Sequence, residues 1–558
     1  MTDATAATSA RAPRAAAARR LGPLGWTSLA VAALVLAPLL FVVGNVFVPS
    51  ATTWAHLAAT VLPGYIWNTA LLVAMVAAGV MSIGVLSAWL VTAYRFPGQR
   101  VLEWALILPL AVPAYVMAYA YTDWLQFSGP VQTALRELTG LRAREYWFPE
   151  IRSLYGAGAM FSFALYPYVY LLARTAFLEQ SRTAIEAGRL LGYSAWGSFW
   201  RVALPLARPG IAAGTALALM ETLADFGTVS YFAVQTFTTG IYRAWLSLGD
   251  SVAAGQLATC LLAFVLIVLA LERVQRGGAR YAASRKPAPP HTLGGWKAAA
   301  ALVLCAAPVL FGFLLPAGVL LELALTDPDA RVGPRLYALI ANSFTLSGVT
   351  ALIAVVVAVL LAYAGRLAKS PVVPVANRLA ALGYAVPGAV LAVGILVPLG
   401  RLDNALAGWI HASFGVKTGL LLTGSIVALV YACLVRYLAV AFQTTEAALA
   451  RVTPAMDDAA RSLGLAPARA LARVHVPMVW GSMLTAGLLV FVDVMKELPM
   501  TFAMRPFNFD TLAVEAYNLT KDERLAEAAV PSLVIVAIGL APLVVLSRQI
   551  ARSRQRGG

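Results

Sequence analysis

Four carboxylates stand where carboxylates are rare. Glu221, Asp225, Asp493 and Glu497 lie inside long apolar stretches, with Lys496 beside the last of them. An ionisable side chain in such surroundings is costly and is a functional candidate by default. A spacing of four puts Glu221 and Asp225 on one face of a helix, and Asp493 and Glu497 repeat it. Four acids against one lysine favour a cation over an oxyanion, because carboxylate oxygens suit hard cations, and the four form a tentative, transient metal set. Two other uses remain open: a proton relay, or packing in which the acids pair with Lys496 or with backbone donors. Enzyme chemistry finds no footing. A phosphate-binding loop needs Gly-Lys-Ser/Thr, and none of Lys286, Lys297, Lys369, Lys417, Lys496 and Lys521 follows a glycine. His56, His291, His411 and His475 scatter over separate loops, and Cys260, Cys305 and Cys433 sit in apolar runs, where a buried thiol is the plain reading. No catalytic residue and no bound cofactor are expected of this chain.

The elements that position these acids are membrane spans. The 558 residues are 60% hydrophobic and 12% charged, with a mean hydropathy of +0.77, more apolar surface than a soluble shell covers. About 20 apolar residues cross a bilayer. Spans are expected near 27–48, 66–92, 101–122, 154–178, 206–232 and 251–271, then near 297–324, 341–364, 377–400, 420–442, 478–504 and 530–547, while 123–153 is too polar to count. The excess of 42 basic over 26 acidic residues needs no nucleic acid to explain it. Most Lys and Arg fall in the two tails and in the loops after even-numbered spans, which places both termini in the cytoplasm. The N-terminal apolar run is too long for a signal peptide and is retained as the first span.

The chain reads as a duplication. At an offset of 274, Asn68 meets Asn342, Ala88 meets Ala362, and Val112–Pro113 meets Val386–Pro387. At 272, Gly192 meets Gly464, Arg201–Val202 meets Arg473–Val474, Pro205 meets Pro477, and Glu221 and Asp225 meet Asp493 and Glu497. Repeated loop punctuation is not a by-product of apolar periodicity. The fold class is therefore all-α and polytopic: about twelve helices as two tandem six-helix bundles, related by an axis along the membrane normal. The expected divisions are a basic tail at 1–26, a first transmembrane domain at 27–271, a cytoplasmic linker at 272–296, a second domain at 297–547 and a basic tail at 548–558. Between the fourth and fifth spans of each half lies a cytoplasmic loop, Ile185 to Pro205 and Met456 to Pro477. In each, an acid opens a short helix near its positive end, Gly192 or Gly464 breaks it, and Pro205 or Pro477 starts the next span, where the missing N–H costs nothing.

These loops resemble the EAA motif of permease subunits of binding-protein-dependent ABC importers. Glu186, Ala187, Gly188 (for the second Ala), Gly192 and Pro205 carry the match in the first half. Asp458 (for Glu), Ala459, Ala460, Gly464 and Pro477 carry it in the second. The resemblance implies coupling helices that dock on a separate ATPase, a homodimer holding ATP and Mg, and a type I permease fold in the inner membrane. An exposed amphipathic helix does need a partner groove, although such a helix can also rest on the lipid surface. The stretches Glu221 to Trp245 and Lys496 to Phe502 resemble the iron(III) permeases fed by periplasmic ferric-binding proteins, so ferric iron is the expected cargo and Glu221, Asp225, Asp493 and Glu497 the expected pathway. Thiamine, polyamine and sulfate permeases share many of these positions, which leaves thiamine or a polyamine as an alternative. A proton-coupled secondary transporter is the alternative from another class, and two EAA-like loops count against it.

Overall fold

The computed structural model describes residues 21–49, 51–142, 145–180, 192–276, 291–330, 332–368 and 370–555. Glu186, Ala187 and Gly188, most of the 1–26 tail and most of the 272–296 linker lie outside the described residues. Eleven helices are long and apolar enough to cross a membrane, or twelve if Gln99–Ala111 and Ala114–Thr139, bent by 93°, make one crossing. The third expected span, 101–122, is thus a broken one. Val112 is extended at ψ 114° ahead of Pro113, as a residue preceding proline prefers. The ninth, 377–400, breaks in the same manner: Val372–Ala380 and a 3₁₀ turn end at Val386, ψ 124°, and Gly388–Phe414 starts afresh after Pro387.

Two compact units share the chain, with boundaries at 41/42, 343/344, 386/387, 393/394 and 494/495. In the larger unit the Leu154–Glu179 helix is the most enclosed. Small residues let its neighbours approach: a side chain at Gly214 would come within 2.7 Å of Val169 Cα, the close contact that membrane helices use in place of a hydrophobic drive. Arg174 of this helix forms a buried ion pair with Glu103, and Tyr170 donates to the Glu103 carbonyl at 2.8 Å, so the charge is compensated where it is desolvated. Tyr94 and Arg95 pair in parallel with His291 and Thr292, joining the loop after the second span to the chain just before the seventh. In the smaller unit, Asn377 donates to the Leu361 carbonyl at 2.8 Å. Asp403 gathers the amides of Leu421, Leu422 and Thr423 at 2.8–3.0 Å, which pins the connection ahead of Val427–Leu449.

The prolines expected to open the fifth spans do not open them. Phe199–Ala203 and Leu471–His475 are π turns running directly into Leu204 and Val476, one residue before Pro205 and Pro477. Leu310–Leu314 precedes Leu315 and Pro316 in the same way. A proline ring clashes with the carbonyl four residues back and supplies no N–H. A widened turn accommodates both defects and lets the helix continue.

Candidate functional site

The membrane acids lie at paired helix breaks. The Leu204–Ala224 helix stops one residue before Asp225, whose backbone is extended at ψ 138°. Its carboxylate then accepts from the Thr228 and Val229 amides at 2.9 and 3.2 Å and from Thr228 Oγ1 at 3.1 Å, closing the first turn of the Gly227–Tyr231 helix. The second half repeats this. Val476–Met495 ends, and Glu497 accepts from the Met500 and Thr501 amides, both at 2.9 Å, and from Thr501 Oγ1 at 2.8 Å, so that Pro499–Met504 begins. First-turn amides have no intrahelical partner, and a carboxylate is the strongest acceptor available to them. The expectation that each acid pair shares a helical face is therefore wrong, because the helix ends between Glu221 and Asp225 and between Asp493 and Glu497. The fifth spans expected at 206–232 and 478–504 end early for the same reason. Among the described residues no three His, Cys, Asp or Glu side chains gather as a metal-holding group. The four acids thus form no ready-made metal set, and two of them already serve backbone amides.

Within the larger unit the two breaks meet. A side chain at Gly227 would lie 2.6 Å from Leu498 Cδ2 and 2.7 Å from Tyr115 Cβ. Tyr115 donates to the Lys496 carbonyl at 3.3 Å and Tyr242 to the Pro499 carbonyl at 2.6 Å, so carbonyls at the second break are bound by tyrosines of the first half. Phe226, next to Asp225, stacks on Tyr242 at 4.3 Å and also contacts Phe502 and Tyr517. Ser230 and Tyr517 share a hydrogen bond of 2.9 Å. The repeat extends past the breaks: Asn68 donates to the Gln235 carbonyl at 2.9 Å and Asn342 to the Asp510 carbonyl at 3.0 Å. Thr236 and Thr511 then cap the helices that follow. These tyrosines and phenylalanines were not singled out from the sequence; the run Tyr115, Tyr119, Tyr121 was the available signal.

In the second coupling-type loop, Pro454–Ser462 is a helix, Gly464 takes φ +74°, and Pro467–Ala470 leads into the next span. Gly192 takes φ +83°, so both glycines turn through the left-handed region, where other residues are strained. The acid that engages the helix start is Asp457, not Asp458. Asp458 pairs in the open with Arg461, whereas Asp457 binds Arg366 and the fully buried His475. Ala460 is buried, Ala459 exposed, and Met456 and Leu463 present apolar side chains outward.

Residues 80–277 match the family of binding-protein-dependent transport system inner membrane components. That segment is a permease domain of the ABC-importer class, and the eleven apolar helices, or twelve with the bent pair, mark a multi-pass membrane protein. The chain is 26% identical to the Fe(3+)-transport system permease protein FbpB 2 of Haemophilus influenzae, over 86% of this chain and 89% of that one. The sulfate permease CysT of Escherichia coli is 28% identical over 33% of this chain and 66% of its own length. The molybdenum permease ModB of the same organism is 29% identical over 34% and 82%. These relatives are transport permeases, and the matched family is one that works with a substrate-binding protein and an ATPase.

Proposed function

We propose that this chain forms the translocation pathway for ferric iron, delivered on the outer side by a ferric-binding type of protein and driven by an ATPase homodimer that holds ATP and Mg on the cytoplasmic side. The likeness to an Fe(3+) permease along both halves carries this reading; the sulfate and molybdenum permeases match over about one bundle. The chemistry points the same way. The breaks hold Asp225 and Glu497 beside freed carbonyls and tyrosine oxygens, a set of hard oxygen donors suited to a trivalent cation. In the state described, aromatic rings around Phe226 fill the space between the breaks, which is a closed gate. The loops at Gly192 and Gly464 take up movement of the ATPase and pass it along the rigid helices to the breaks. Separation of the breaks frees Glu221, Asp225, Asp493 and Glu497 to meet the cation. Reconstitution with the ATPase and binding protein of the same system tests this. Ferric-loaded binding protein should stimulate ATP hydrolysis and uptake of radioactive iron. Stimulation by sulfate, molybdate, thiamine or a polyamine instead would overturn the assignment.

A further inference from the structure

We propose that the Lys521 end of the Leu512–Lys521 helix is the docking surface for the delivering protein, and that a carboxylate of that protein takes Arg335 away from Glu515 and so releases the gate. A cavity of about 540 Å³ opens there, lined by Arg335, Glu515, Lys521, Arg524 and Glu527, with Leu519 its apolar member. Arg335 holds Glu515 with both arms of its fork: Nε lies 2.8 Å from Oε1 and Nη2 lies 2.9 Å from Oε2. The partners are unequal. The Arg335 side chain is 73% exposed and that of Glu515 is 7% exposed, so an arriving group meets the arginine first. Only an anionic acceptor competes for it, and a second carboxylate matches the planar fork that Glu515 now fills. Lys521 and Arg524 add positive charge to the rim; Asp522 and Glu527 share it, the latter bound by Arg524 at 2.5–2.6 Å. A lining charged almost throughout suits polar side chains of a protein, because acyl chains would leave those charges unsolvated. Three spans, Phe199–Ala224, Ser251–Gln275 and Gly295–Thr326, separate Gly192 from Arg335. The cavity therefore faces away from the loop that meets the ATPase, on the side from which cargo arrives, a step that rests on the importer reading.

The ion pair bears on the gate because the Leu512–Lys521 helix reaches both. Arg335, Asn342 and Ser343 share one face of the Pro334–Leu367 helix by their spacing. Asn342 donates to the Asp510 carbonyl at 3.0 Å, and Ser343 Oγ accepts from the Leu512 amide at 2.9 Å. With the Arg335 fork, three side chains of one helix thus clamp the segment from Asp510 to Glu515. Just beyond it, Tyr517 shares a hydrogen bond of 2.9 Å with Ser230 and packs on Phe226 and Phe502 at 5.7 and 5.3 Å. Removing Arg335 leaves the buried Glu515 as an uncompensated charge, so the helix shifts to bring that carboxylate to water. Tyr517 moves with it and opens the aromatic seal between the breaks. The offset of 274 sets Val61 opposite Arg335, and that of 272 sets Arg243 opposite Glu515. A valine forms no ion pair, so the asparagine grip recurs in both halves while the latch at this register belongs to the second.

Affinity separates docking from a purely structural pair. The full permease, assembled with its ATPase in phosphatidylcholine nanodiscs, is titrated with the fluorescently labelled, ferric-loaded binding protein of the same system. Arg335→Ala should weaken binding about tenfold or more, as removal of a central interfacial arginine does. Glu515→Gln weakens the internal competitor for that arginine, so it should tighten binding severalfold and raise ATP hydrolysis without cargo. A structural pair would move both variants the same way, since each breaks the same contact. Weakening by both, or unchanged affinity in Glu515→Gln, overturns the proposal, and Glu515→Gln decides it alone if Arg335→Ala does not fold. Nanodiscs containing phosphatidylglycerol cover the other occupant: cargo-free hydrolysis that rises with the anionic lipid and falls back in Arg335→Ala would seat a lipid there and overturn the docking role. A wild-type chain that answers a sulfate- or molybdate-loaded protein and not the ferric one sinks the ferric reading. The opposite shifts of the two variants are then scored with that protein.

Discussion

Asp225 and Glu497 carry two roles that substitution separates. Asparagine caps first-turn amides about as well as aspartate, so Asp225→Asn should preserve the break while removing the charge. We predict that Asp225→Asn with Glu497→Gln leaves assembly and basal ATP hydrolysis intact and abolishes iron uptake. Uptake near the wild-type rate would return both acids to a purely capping role. Asp457 makes the second prediction at this scale. Burial alone would raise its pKa, but hydrogen bonds from Arg366 and His475 outweigh that and hold the carboxyl below its ordinary value. A depressed folded pKa contributes stability that is complete above the unfolded value and is lost as pH falls through the folded one. Hydrogen exchange across 454–470 should therefore quicken as pH drops below about 4, the ordinary carboxylate range. Asp457→Asn should quicken it at neutral pH, costing about 1–3 kcal/mol for the orphaned partners. Unchanged exchange in that variant would mean the ion pair does not order the loop. The sequence pointed to the adjacent Asp458, since one-letter spacing cannot tell which of two neighbouring acids faces Arg366, 91 residues away.

Helices were more legible than their interruptions. Apolar runs located the spans because the bilayer demands a minimum length. Continuity was overestimated wherever a polar side chain or a proline rewrote local hydrogen bonding, as at Val112–Pro113, Val386–Pro387, Asp225 and Glu497. Hydropathy does not register which amides a carboxylate serves, although Gly227 and Pro499 after each acid were real markers of a break. The offset-matched motifs proved the sturdier signal, since Asn68 and Asn342 make equivalent bonds. Two substitutions probe these elements. Gly227→Ala puts a methyl against Tyr115 Cβ, which is not the far end of a flexible chain. It should cost about 1–3 kcal/mol as overpacking does, seen as a lower thermal midpoint, and a midpoint equal to wild type would deny the tight crossing. Gly464→Pro forces φ from +74° to the proline value near −65°. It should prevent co-purification with the ATPase while membrane insertion is retained, and normal co-purification would remove the docking role from this loop.

Sidedness is decided by one ambiguous element. If the bent Gln99–Ala111 and Ala114–Thr139 pair does not cross, the chain has eleven spans and its ends face opposite sides; if it crosses, there are twelve and both ends face one side. The short parallel pairing of Tyr94 and Arg95 with His291 and Thr292 favours the crossing, because paired strands occupy one side of a bilayer. Between Arg95 and His291 lie the spans Leu154–Glu179, Phe199–Ala224 and Ser251–Gln275. Three crossings would put the partners on opposite faces, so we predict that the bent pair supplies the fourth. We propose that twelve crossings leave both ends of the chain, His291 and the loop at Leu463 facing the same compartment, and that the concentration of Lys and Arg in these segments makes it the cytoplasm. Single cysteines at Arg95 and Leu463 should then react with an impermeant thiol reagent only from the cytoplasmic side. One at Trp147, 85% exposed and beyond the bent pair, should react only from outside. Trp147 and Arg95 labelled from the same side would mean that the bent pair re-enters without crossing, and the two-bundle symmetry on which the coupling loops depend would fail with it.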